Sequence, residues 1–67
     1  SVALTSIPEA VNAVNWVLNN PSGIDNRTIS ILKTVKSKDS ISKRQSKYVI
    51  EAIKLMNEVK DTVLAEN

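Results

Sequence analysis

Arg27, Lys33, Lys36, Lys38, Lys43, Arg44 and Lys47 are seven of the chain's nine basic residues, and only one acid, Asp39, lies among them. The flanks are acidic, so a formal net charge of only +2 conceals a strongly polarised molecule. Clustered cations of this kind create a local positive field, and polyanions are its commonest partner. The chemistry these residues offer is electrostatic binding.

Other chemistry has little material. Histidine and cysteine are both absent, which removes the usual proton shuttle, the commonest metal ligand and any thiolate or disulfide. One glycine, Gly23, excludes a glycine-rich phosphate cradle. Glu51, Glu58 and Asp61 could do acid–base work only in a desolvated site, and the interleaved Lys54 and Lys60 point to solvated charge pairs instead. The sequence therefore predicts no catalytic residue, no metal site and no cofactor.

Two apolar side chains stand apart from the core pattern. Trp16 falls almost opposite the apolar stripe of its helix, where a tryptophan serves as an interface anchor, a base-stacking platform or a cover for the bundle edge. Ile50 sits among lysines on an outer helical face and is the second candidate for partner binding. Tyr48 flanks the core stripe and is expected to be half-buried with a solvated hydroxyl.

Three helices must position these groups, at about 7–20, 26–37 and 43–65. The first shows the capping-box spacing of Ser6 and Glu9, with Pro8 in the first turn and an apolar stripe of Ile7, Ala10, Val11, Val14, Val17 and Leu18. Asn19 to Gly23 end it. The second starts at Asp25 as N-cap, with Ile24 and Ile29 spaced as a hydrophobic staple, and carries Thr28, Ile31, Leu32 and Val35 inward. The third opens on a capping box of Ser42 and Gln45 and continues through Val49, Ala52, Ile53, Met56, Val59 and Val63. Its length, ~35 Å at 1.5 Å per residue, exceeds the others at ~20 Å, so its last two turns are expected to project. Short connections favour antiparallel neighbours. The expected architecture is an all-α, up-down-up three-helix bundle; a hairpin of helices two and three with helix one across it is the alternative.

Helical phasing divides the basic block. Lys43, Lys47, Ile50 and Lys54 share the outer face of the third helix, with Arg44 to one side. Lys36 and Lys38 lie at the adjoining corner, whereas most of the second helix separates Arg27 from it and marks Arg27 as a bystander. Basic groups at a helix start oppose the macrodipole, by about 0.3–1 kcal/mol each, and phosphates bind where basic side chains meet exposed N–H groups. Surface lysines also serve plain solubility.

At 67 residues the chain reads as one helical domain or an accessory piece of a larger protein. No apolar run approaches the ~20 residues that cross a bilayer, and absent cysteine fits a reducing, cytoplasmic setting.

The segments Val11 to Leu18, Gly23-Ile24-Asp25, Ile29-Ser30-Ile31-Leu32, Ile41-Ser42-Lys43-Arg44-Gln45 and Tyr48 to Ile53 occur in a telling order. It resembles a short helical segment of phage DNA-processing proteins, including helicases and nucleases, in which Leu-Ser-x-Lys-Gln opens the third helix. The match runs over about residues 10–56, with Arg44 where that pattern has lysine and no aromatic residue in the second helix. The resemblance implies a non-enzymatic accessory module, in the host cytoplasm if phage-encoded, that binds nucleic acid or a larger DNA-processing enzyme. The expected contacts are Lys36, Lys38, Lys43, Arg44, Lys47 and Lys54 for nucleic acid, and Trp16 and Ile50 for a protein partner. The residues leave open an adaptor or inhibitor of another enzyme, or self-association through Val59, Val63 and Leu64.

Overall fold

Local capping chemistry sets most helix boundaries in the computed structural model, which describes the backbone of residues 1–66 and the side chains of 1–62. Helix α1 spans Pro8–Asn19, α2 spans Asn26–Lys38 and α3 spans Ser46–Glu66, after a 3₁₀ turn at Leu4–Ser6. Asp25 caps α2 as its spacing predicts, its carboxylate accepting the Thr28 N–H at 2.7 Å. The capping box before α3 forms in both directions: Ser42 N–H donates to Gln45 Oε1 at 2.9 Å, and Gln45 N–H to Ser42 Oγ at 3.1 Å. Lys43–Gln45 form a turn that leads into regular α3 at Ser46, later than the expected start at 43.

The capping box expected before α1 is absent. Leu4–Ser6 wind into the 3₁₀ turn, and the Ser6 hydroxyl donates back to Ala3 O at 2.6 Å. Ile7 then occupies the N-cap position without a side-chain bond, and Pro8 takes the first turn, where its missing N–H costs nothing. Burial of Leu4 explains the preference, since the tight turn delivers that side chain to the core. At the other end of α1, Asn20 N–H reaches Trp16 O and Val17 O, and the Asn20 amide donates to Trp16 O at 2.8 Å. A turn closed by Ile24 N–H to Pro21 O follows, with Gly23 at φ 81°, a conformation that favours glycine.

The N-terminal segment fixes the topology. Val2 and Ile41 exchange both backbone hydrogen bonds, at 3.0 and 2.7 Å, as an isolated antiparallel bridge. Thr5 N–H and Thr5 Oγ1 donate to the Asp39 carboxylate at 2.8 and 2.9 Å. These contacts tie the residues before α1 to the connection between α2 and α3. The start of α1, the end of α2 and the start of α3 therefore share one end of the molecule, and the bundle runs up-down-up. The hairpin alternative fails, because α1 packs most extensively on α3 and α2 meets α3 least.

Ala10, Ala13, Val14 and Val17 of α1 meet Leu32 and Val35 of α2, Val49 and Ala52 of α3, and Leu4 and Ile41 from the connections. The alanines, Ala13 among them, let backbones approach closely and complete a face that the larger apolar residues only outline. Among the described residues no polar side chain is buried. At 1.5 Å per residue α3 is ~32 Å long against ~18 and ~20 Å for α1 and α2, in a molecule measuring 39 × 25 × 17 Å. Asn57 to Thr62 are all exposed, so the far half of α3 outruns the core as its length predicts. Val59 is 44% exposed; the side chains of Val63 and Leu64 lie outside the described residues.

Candidate functional site

The first turns of α3 separate two surfaces of opposite character. Gln45 just before α3, with Val49, Ala52 and Met56 within it, marks the core face, and the residues to either side form its flanks. Arg44, Lys47 and Tyr48 lie toward α2. Ser46, Ile50 and Ile53 lie toward α1 and the N-terminal segment.

On the α2 side, Arg27 and Ile31 meet Arg44, Gln45, Lys47 and Tyr48 around a groove of ≈ 400 Å³. All three cations are exposed, whereas Gln45 and Tyr48 are half-buried. The capping box holds Gln45 by its bond to Ser42 N–H, which anchors the groove wall beside Arg44. Lys47 Nζ stands 5.1 Å from the centre of the Tyr48 ring, within cation–π range. One ring face is thereby occupied. Glu51, one turn beyond Lys47, tempers the positive field.

Arg27 belongs to this groove, which corrects the expectation that it is a bystander. It lies one helical turn before Ile31, and both sit on the flank of α2 that turns toward α3. Distance along the sequence concealed this; the i, i+4 relation to a half-buried isoleucine was the available signal. Lys36 is exposed elsewhere on α2, while Lys38 shares a shallow outer depression with Lys33, Thr34 and Ser37. Neither Lys36 nor Lys38 lines the groove itself, although the end of α2 lies beside the start of α3 as expected. Lys54 is exposed a turn beyond Ile50 and lines neither surface.

Asp25, two residues before Arg27, titrates below the ordinary carboxylate range. The Thr28 backbone N–H is the main cause, its side chain adds to it, and the nearby Arg27 charge contributes least.

On the α1 side, Val2, Ile7, Ala10, Ile41, Ile50 and Ile53 line an apolar groove of ≈ 390 Å³, with Lys43 at its edge. Val2, Ile7 and Ile50 are 51%, 39% and 56% exposed. Ile50 thus continues an apolar surface built from three parts of the chain. The N-terminal segment that completes it was not foreseen; the Thr5–Asp39 and Val2–Ile41 pairings span more than thirty residues.

Trp16 takes the last of the three roles its phasing offered, a cover for the bundle edge. It is half-buried and packs against the core, because a large indole can fold back over the bundle edge from a position phased away from it.

Among the described residues no helix is long and apolar enough to cross a membrane, and no group of three or more His, Cys, Asp or Glu side chains could hold a metal ion. Compared with known proteins, the chain matches no family model, no curated protein and no solved structure.

Proposed function

We propose that this protein is a non-enzymatic binding module that engages the phosphate backbone of nucleic acid through the groove between α2 and α3. The observation that carries this reading is the meeting of Arg27 from one helix with Arg44 and Lys47 from another around a single groove. Two guanidinium forks suit the bidentate geometry of phosphate oxygens, and Lys47 adds a mobile point charge. Lys47 already covers one face of Tyr48, so the site favours phosphate contact over base stacking, and phosphate contacts position a protein without reading sequence. The role that fits is an accessory module of phage-type DNA metabolism, acting beside a larger DNA-processing protein, as the Ile41–Gln45 resemblance implies.

The test is titration with single- and double-stranded oligonucleotides at low salt, repeated as salt is raised. Binding should weaken steeply with salt. Replacing Arg27, Arg44 and Lys47 together by glutamine should weaken binding and make the slope of log K against log salt shallower by roughly 2–3. No binding at low salt, or a triple variant with an unchanged slope, would sink the reading.

A further inference from the structure

The groove between α2 and α3 is not uniformly polar. Its cations, Arg27, Arg44 and Lys47, are exposed, whereas Ile31 and Tyr48 are half-buried and pack against the core. Each wall repeats one arrangement. Arg27 lies four residues before Ile31 on α2, and Arg44 lies four residues before Tyr48 at the start of α3. Charge therefore rims a partly apolar floor on both sides of one concavity. Resting on the reading of this groove as a phosphate-backbone site, we propose that its ligand is single-stranded nucleic acid. Phosphates meet the cations at the rim, and a sugar or base edge lies against Ile31 and Tyr48.

The form of the ligand decides between single strand and duplex. A duplex turns its phosphates outward and keeps its bases paired and stacked inside. It can meet the rim of this groove but has little apolar surface to offer the floor. An unpaired strand has free bases and a flexible backbone, so it can lower a sugar or base into a concavity while its phosphates stay with the cations. The groove, at ≈ 400 Å³, has the size of a small-molecule pocket, about 300–1,000 Å³. That suits part of one strand and is too small to receive a duplex. Lys47 covers one face of the Tyr48 ring, so the floor supplies apolar contact without an open stacking platform. Charge alone favours the opposite outcome, because a duplex carries its phosphates more densely and condenses more counterions for release, ~0.9 against ~0.7 per phosphate neutralised. A preference for the single strand therefore reports on the floor and not on the cations.

Fluorescence anisotropy with the whole chain tests this, using a labelled single strand and the duplex it forms with its complement at equal low salt. The single strand should bind at least ~10-fold more tightly than the duplex. Ile31→Ala and Tyr48→Ala should each lower that ratio by at least ~3-fold. The salt slope of single-strand binding should stay unchanged in both, because all three cations remain. Circular dichroism checks that each variant is folded. Duplex bound as tightly as single strand, or more tightly, overturns this inference and leaves the phosphate reading standing. A single-strand preference untouched in the folded variants overturns it as well. Binding of neither form at low salt removes the phosphate reading, and this inference with it.

Discussion

The two flanks of early α3 are built from adjacent residues and differ in nearly every physical respect. The flank toward α2 is cationic and formed by long side chains over the least extensive helix contact of the bundle. The flank toward α1 is apolar and lies beside the most extensive one, roofed by the N-terminal segment. The difference follows from packing. Where α1 sits close on α3 through Ala10, Val49 and Ala52, little room remains for charged stems, and short apolar side chains line the seam. Where α2 meets α3 least, arginine and lysine have room along the seam and keep their charges in water. One helix can thus present a salt-sensitive surface and a salt-insensitive one a half-turn apart.

Disruption of the shared frame has the largest expected effect. Leu32→Ala removes a fully buried side chain and should cost ~2–5 kcal/mol. In a domain this small that approaches the entire stability, so thermal melting should show both surfaces lost together. Survival of either one would mean that the flanks fold independently.

An intermediate effect separates them. Asp39→Gly keeps the left-handed backbone at φ 49° but removes both acceptors for Thr5. Hydrogen exchange of the Val2 and Ile41 amides should accelerate by about 10-fold, corresponding to a loss on the order of 1 kcal/mol. Amides of α2 around Leu32 should keep their protection, because the cationic flank does not depend on the N-terminal segment.

The smallest effect is acid sensitivity at the start of α2. The folded Asp25 carboxyl titrates below its ordinary value, so its contribution is complete above the ordinary carboxylate pKa and disappears as pH falls through the lower folded value. Protonation weakens the cap next to Arg27. Fraying of the Asn26–Thr28 amides in acid should therefore appear in the wild type and already be present at neutral pH in Asp25→Ala. Identical pH profiles for the two would show that another group governs this end of α2.

Much of this organisation was legible in local residue patterns. Asp25 with Thr28, and Ser42 with Gln45, are bonds between residues three apart, so spacing alone locates them. The stripes Val14–Val17, Leu32–Val35 and Val49–Ala52 are helical periodicities, which a sequence displays directly. Ser6 and Glu9 have the same spacing as a true capping box and do not form one, because burial of Leu4 commits Ser6 to a different turn. Arg27 was misplaced for a related reason. Phasing gives the direction in which a side chain leaves its own helix, and the neighbouring elements decide what it meets.

The sequence by itself determined three helices and their order, the excess length of α3 and the positive stretch from Arg27 to Lys47. Each of these depends on propensity, periodicity or charge over a few turns. The tertiary structure alone decided that the bundle packs up-down-up and not as the hairpin alternative, that Arg27 lines one groove with Arg44 and Lys47, and that Val2 and Ile7 join Ile50. Those groupings depend on how α2 and α3 meet and where the N-terminal segment is pinned, and both are set by contacts between residues distant in the chain.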